Sequence, residues 1–273
     1  MLADVVDLLI CPHCGADLDM ADTTMLCDRG HSFDVARQGY VSLLPGSAGK
    51  ITGDSADMIA ARAEFLAGGH FDPIADAVVA AVGGRETVLE VGAGSGHYLS
   101  GVLDATGGRG IGVDVSKAAA RRIARAHPRI GSVVADVWHG LPVRSASIGA
   151  ATCVFSPRNA VELRRVLGPD GILVVVTPTE RHQQELIGAL GLIGVDEDKA
   201  RRLGDTLSGR FGQVDRTSVE HRMSLTHSDV ASLVSMGPSA RHTTDTSRTE
   251  AIARLPERVD VTLSVTVGTY AVR

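Results

Sequence analysis

Three of the four cysteines fall in the first tenth of the chain, as Cys11-Pro12-His13-Cys14 followed by Cys27-Asp28-Arg29-Gly30-His31. Two cysteines two residues apart form a knuckle whose thiolates aim at one centre, and a second ligand pair after twelve intervening residues closes a tetrahedron. Cys11, Cys14, Cys27 and His31 therefore predict a Cys3His zinc site. Such a site has no open position, so its Zn2+ holds structure and does no chemistry. His13 lies inside the knuckle, where a residue between two ligating cysteines points away, and His31 is preferred as the fourth ligand. Residues 1–36 are expected to need the metal to fold. Cys153 stands alone in a predicted strand and reads as a small core residue.

A second chemistry is written in Thr87-Val88-Leu89-Glu90-Val91-Gly92-Ala93-Gly94-Ser95-Gly96, an apolar strand that opens into a glycine loop ahead of a helix. Glycines let the backbone turn sharply and approach a ligand closely, and the helix behind them offers unpaired N–H groups. A dinucleotide-binding loop wants its third glycine at the position held here by His97, so the dehydrogenase reading loses ground. No Ser-His-Asp or Cys-His constellation accompanies the loop.

The elements that must carry these residues follow from the apolar runs. The chain alternates strand 87–91, helix 97–105, strand 110–113, helix 117–126, strand 131–135, strand 148–154, helix 159–167 and strand 171–177. That alternation predicts an α/β, doubly wound parallel sheet with ligands bound beyond the carboxyl ends of its strands. Upstream, Asp54-Ser55 offers an N-cap for a helix to about Leu66, and a second helix spans 72–82. Downstream, 180–212 reads as helical, 214–225 as strand, 228–236 as helix, and the strictly alternating 259–267 as a late antiparallel strand. The Gly- and Pro-containing stretch 38–53 reads as a loop, giving a division into a zinc-binding ribbon (1–36), a linker (37–53) and a main domain (54–273).

Composition bounds the function. The 273 residues are 44% hydrophobic and 22% charged, with 3% aromatic, so aliphatic side chains must fill the core. The net charge of -5 argues against indiscriminate nucleic-acid binding, though a local basic face remains open. No apolar run approaches the roughly 20 residues that cross a bilayer, and no signal peptide is evident, so a cytoplasmic protein with no membrane partner is expected. Whether it forms a homodimer is left open.

The glycine loop preceded by Glu90 resembles the first motif of class I S-adenosylmethionine-dependent methyltransferases, a Rossmann-like core. In that family the loop, here Gly92, Gly94 and Gly96, meets the methionine part of the cofactor. The resemblance implies that Asp114, ending Ile111-Gly112-Val113-Asp114, takes the ribose hydroxyls, and that Asp136, in Val134-Ala135-Asp136-Val137, meets the adenine amino group.

Ribbon and core together resemble the 23S ribosomal RNA guanine-N1 methyltransferases over nearly the whole chain. The carriers are the zinc motif, Phe33 to Val41, Asp54 to Arg62, Gly69-His70-Phe71, Val154-Phe155-Ser156-Pro157-Arg158-Asn159, Thr177-Pro178 with His182, and Met236-Gly237-Pro238-Ser239. The last looks like the branch holding the tylosin and mycinamicin resistance methyltransferases of antibiotic producers. The resemblance implies 23S ribosomal RNA as partner, S-adenosyl-L-methionine as cofactor, and a possible role in macrolide resistance. It implies further cofactor contacts at Phe71, Glu90, Tyr98, Leu99 and His182. Phe71 stands where tyrosine is common, which removes a hydroxyl, and Glu90 where aspartate is usual. The base that takes the guanine N1 proton is not identified. Ser156, Arg158 and Asn159 lie where the family holds its target base, although Asn159 could equally be a helix cap. Arg29, Arg37, Lys50 and Arg62 are candidate phosphate contacts.

Two other readings compete, a small-molecule methyltransferase and a non-catalytic RNA-binding or assembly protein. The extra zinc module speaks against the first, the intact glycine loop and Asp114 against the second. Because the zinc is closed and remote from any methyl group, the ribbon is expected to act on RNA alone, so that deleting residues 1–36 leaves cofactor affinity almost intact.

Overall fold

A computed structural model describes residues 1–45, 53–192, 194, 198–237 and 245–273. Two single turns of 3-10 helix, Leu2–Asp4 and Val6–Leu8, precede an antiparallel three-stranded ribbon of β1 (Leu18–Ala21), β2 (Thr24–Cys27) and β3 (Ser32–Asp34). β4 (Tyr40–Ser42) follows. Helices α1 (Ala56–Ala67) and α2 (Asp72–Val82) lead into β5 (Thr87–Val91), α3 (His97–Thr106), β6 (Arg109–Asp114), α4 (Lys117–Ile123) and β7 (Ile130–Val134). The chain continues through β8 (Ile148–Val154), α5 (Ala160–Val166), β9 (Leu167–Pro178), α6 (Gln184–Leu190) and α7 (Lys199–Leu207). It ends in β10 (Phe211–Thr226), α8 (His227–Ser235), α9 (Asp245–Ala253) and β11 (Arg258–Val272). Ser55 caps α1 as its sequence predicts, its hydroxyl oxygen accepting the Met58 N–H at 3.2 Å. Among the described residues no single helix is long and apolar enough to cross a membrane.

Among the described residues the large sheet has eight strands, ordered β10-β11-β9-β8-β5-β6-β7-β4. The strands from β4 to β9 pair in parallel, while β11 runs antiparallel to both β9 and β10. The chain winds outward from β5 in both directions, so the β5/β8 junction is the switch point beyond which a crevice must open.

Two expectations change. Residues 40–42, read as part of a loop, form the edge strand β4 beside β7. A three-residue strand flanked by Gly39 and Pro45 is too short to show a period of two. The helical reading of 180–212 breaks into α6 and α7, separated by Gly191 and Gly194, and α9 was not foreseen.

The ribbon is also no free appendage. Leu2, Val5, Leu8, Leu9, Leu18, Met25 and Phe33 share one core with Leu89, Val91, Ile111, Val113 and Val133 of the sheet. Val5 sits so close under β7 that a Cβ at Gly131 would come within 2.2 Å of its methyl carbon. Each such side chain contributes about 1.5–3 kcal/mol on burial, so the seven together are comparable with the roughly 5–15 kcal/mol net stability of a whole domain. The Arg109 guanidinium adds a fork on the Asp7 carboxylate at 2.7 and 2.8 Å, an exposed pair worth at most about 1 kcal/mol. Hydrophobic burial, more than the ion pair, holds the ribbon down.

Candidate functional site

The four sequence-predicted ligands converge at the ribbon's tip. Cys11 Sγ and Cys14 Sγ each lie 3.5 Å from His31 Nδ1, Cys14 Sγ lies 3.4 Å from Cys27 Sγ, and all four ligand atoms fall within 4.8 Å of one another. Bonds of about 2.3 Å to sulfur and 2.0–2.1 Å to nitrogen in a tetrahedron put ligand atoms roughly 3.5–3.8 Å apart, so the donor set fits zinc with His31 bound through Nδ1. Burial pushes the Cys27 thiol up, but hydrogen bonds from the Arg29 N–H, His31 and the neighbouring thiols outweigh it and bring it to about 6, favouring the thiolate a metal needs. His13 is outside the four-ligand group; its ring lies 5.1 Å from that of His31 and stacks on Phe33 at 5.7 Å.

Beyond the carboxyl ends of β5, β6, β7 and β8 opens a cavity of about 1200 Å³. Of the residues nominated for the cofactor it is lined by Phe71, Glu90, Gly92, Gly94, Tyr98, Asp114, Asp136 and His182, and of those nominated for the target base by Ser156 and Arg158. Gly96, Leu99 and Asn159 are not in its lining. Gly96 lies against α4 and the turn after it, where an added Cβ would meet the Ala126 Cβ at 2.8 Å. Leu99 is core, and its backbone N–H donates to Glu90 Oε2 at 3.1 Å. Asn159 caps α5, its side-chain oxygen accepting from the N–H groups of Val161 and Glu162 while its amide donates to the Val137 carbonyl.

The loop is tight because it must be. Gly92 has φ +69°, and a Cβ there would fall 2.5 Å from the Ser156 Cβ, while Ser156 itself donates to the Val91 carbonyl at 2.5 Å. Asp114 ties loop to sheet: its Oδ2 accepts the Gly94 N–H at 3.0 Å and its Oδ1 the Ser116 N–H at 2.9 Å. Burial pushes its carboxyl up, partly offset by those two donors. Glu90 is wholly buried, and burial drives its carboxyl to about 8 against the one donor, Leu99 N–H. Burial likewise raises the Tyr98 hydroxyl above its ordinary range. Asp136, in the cavity lining, accepts the Trp138 backbone N–H at 3.0 Å on Oδ1 and has His139 Nδ1 2.6 Å from Oδ2.

Phe71, Phe155 and His182 stand as three rings with centres 5.8 to 6.3 Å apart on one wall. His182 Nδ1 accepts the Ser264 backbone N–H at 3.2 Å, and its Nε2 lies 3.0 Å from the side-chain amide nitrogen of Gln183.

Arg62, a candidate phosphate contact by sequence, lines the cavity, ion-paired with Asp54 at 2.7 Å and donating to the Met236 carbonyl at 2.9 Å. Its guanidinium arches over Gly94, 2.9 Å from where a Cβ would be. Its helical neighbours gave no signal of this, because the partners come from distant segments. Arg29 and Arg37 are exposed, as expected; Lys50, Pro238 and Ser239 lie outside the described residues.

A glycine cradle, buried carboxylates and an aromatic wall suit a ligand that is cationic at one end and planar at the other, as S-adenosylmethionine is. Sheet order and cleft together define a class I S-adenosylmethionine-dependent methyltransferase. Comparison with known proteins agrees: residues 9–49 match the zinc-ribbon family described as RlmA, N-terminal, and residues 88–171 a methyltransferase domain. A chain of the Haloferax volcanii complex between the Trm112 methyltransferase activator and a methyltransferase has the same fold, with 16% identity, a TM-score of 0.53, and coverage of 81% of this chain and 99% of that one. A Micromonospora griseorubida protein named as a 23S rRNA (guanine-N1)-methyltransferase is 45% identical, covering 99% of both chains. The 23S rRNA (guanine(748)-N1)-methyltransferase of Streptomyces fradiae is 44% identical, covering 97% of both. The chain belongs to the 23S rRNA (guanine-N1)-methyltransferase family.

Proposed function

We propose that this protein transfers a methyl group from S-adenosylmethionine to N1 of a guanine in 23S ribosomal RNA, acting in the cytoplasm where ribosomes assemble. The observation that carries the reading is a zinc ribbon fused to the glycine-loop cleft in a chain matched end to end by the Micromonospora relative. The producer origin of that branch supports a role in macrolide resistance. A division into ribbon (1–36), linker (37–53) and main domain (54–273) remains the working description, with β4 lending the linker to the sheet.

The cofactor supplies an electrophilic methyl on a sulfonium, and the protein's task is alignment of nucleophile, methyl and leaving sulfur. In this reading Gly92 and Gly94 admit the methionine part, Glu90 and Tyr98 back it, and Gly96 and Leu99 act through the loop's shape. Asp114 receives the ribose hydroxyls and Asp136 the adenine amino group. Phe71 and His182 form the wall beside the transferring group. Ser156 fixes the loop below the target base, Asn159 fixes the helix behind it, and Arg158 is the one of the three with a side chain available to the base or its phosphate. The guanine N1 proton must leave as the methyl arrives, and no side chain here is assigned as its acceptor.

The test is incubation of purified protein with tritiated cofactor and unmodified 23S ribosomal RNA, followed by mapping of the product. N1-methylguanine at one position, with guanine 748 of the Streptomyces relative the first to inspect, is the expected result. Label in small molecules but none in RNA would replace this reading with the metabolite methyltransferase.

A further inference from the structure

Large apolar side chains left exposed are few among the described residues, and three of them line two adjoining cavities: Trp138 both, Phe155 the larger and Val161 the smaller. Trp138 is 63% exposed, Phe155 41% and Val161 54%. They come from three separate elements: the 3-10 turn Val137–His139, the turn after β8, and the first turn of α5. Scattered single exposures need no explanation, but exposed apolar side chains that line adjoining cavities mark a contact surface. Trp138 is also the only tryptophan of the chain. Its backbone is held: Asp136 Oδ1 accepts its main-chain N–H at 3.0 Å, and the preceding Val137 is buried as an anchor. Phe155 holds φ +53°, a left-handed backbone that a bulky residue adopts only at a cost.

Beside the main cavity lies a second, shallower one of about 460 Å³. The two share Trp138, Pro157, Arg158 and Thr206, and the second runs on to Val161 and Arg210. Its lining contains two guanidinium groups and no carboxylate, in a chain whose net charge is -5. Among the described residues neither Arg158 nor Arg210 has a side-chain hydrogen bond or ion pair. An exposed aromatic face next to uncommitted arginines, in an open groove leading to a reaction chamber, is the chemistry of a single nucleic-acid strand: bases stack on the ring and phosphates meet the arginines.

We infer that this groove holds the RNA strand beside the target guanine, with Trp138 stacking on a neighbouring base and Arg158 and Arg210 receiving backbone phosphates. The inference rests on the RNA reading of the proposed function and names how the strand is presented. A guanine can reach a methyl group inside the cavity only by leaving its stack, and an aromatic surface at the mouth replaces part of the stacking lost.

A single tryptophan gives a direct readout. A short 23S ribosomal RNA hairpin that the protein methylates is titrated into the intact chain while Trp emission is followed, and RNA affinity, RNA kcat/KM and cofactor affinity are measured for Trp138→Ala, Trp138→Phe and Arg210→Ala. Expected are quenched emission, a fall of roughly tenfold to a hundredfold in RNA affinity and kcat/KM for Trp138→Ala with cofactor affinity unchanged, and substantial recovery in Trp138→Phe. Arg210→Ala should weaken RNA binding severalfold and lower the salt slope by about one. Unchanged emission and unchanged kinetics in Trp138→Ala, while the wild type methylates the hairpin, would overturn the groove and leave the RNA reading intact. Loss of cofactor affinity in Trp138→Ala would assign the ring to the cofactor and overturn the inference too. A wild-type protein that methylates no RNA would overturn both.

Discussion

At the zinc knuckle every ligand atom turns inward, within 4.8 Å of the others; at the glycine loop the polar groups surround about 1200 Å³ of open space. The first arrangement can hold one ion and nothing else, and the second leaves room for a ligand the size of S-adenosylmethionine. Yet the two are not independent. Leu89 and Val91 of β5 and Ile111 and Val113 of β6 pack under the ribbon, and these same strands end in Gly92 and Asp114. The closed site therefore supports the open one from behind the sheet. That packing argues against the separability expected from sequence: removing residues 1–36 would strip the cover from the strands that carry the glycine loop.

The comparison breaks most sharply at the loop. Gly94→Val places a branched side chain at φ +55°, under the Arg62 guanidinium and facing the cavity. Cofactor affinity should fall at least a hundredfold in calorimetric titration, while zinc content stays near one per chain because the ribbon's packing is untouched. Near-normal affinity in the folded variant would remove the loop from the cofactor's path.

A smaller effect sharpens the comparison through pH. Glu90 has its folded carboxyl raised to about 8 from an ordinary 4.5, so the fold favours the neutral acid. Its stabilising contribution is complete below about pH 4.5 and is lost as pH rises through 8, with a size on the order of a few kcal/mol. Cofactor-free Glu90→Gln, which stays neutral, should lose less stability than the wild type between pH 5 and pH 8.5 in thermal melts. Parallel pH profiles for the two would show that Glu90 is ionised in the fold.

Both chemistries were legible in the sequence because each is local. The knuckle is four residues long, its partner five, and the glycine loop follows directly on an apolar strand. The parallel core strands were legible for the same reason, since burial on both faces makes continuous apolar runs. What was hidden is long-range. Leu2, Val5, Leu8 and Leu9 look like a small module's own core, and only the fold shows that they pack on the sheet. Arg62 carries no local mark of its partners Asp54 and Met236, and Asn159 reads equally as cap or base contact until its three bonds are seen. β4 and α9 are short or polar, and neither shows a clear period.

The coupling of ribbon to cleft is tested most directly by titrating S-adenosylmethionine into the intact chain before and after zinc is stripped by a chelator, and again after zinc is restored. If the ribbon's packing supports the loop, the stripped chain should bind at least tenfold more weakly and melt at a markedly lower temperature, and both should recover with zinc. A zinc-free chain, verified by metal analysis, that binds the cofactor with unchanged affinity would contradict it.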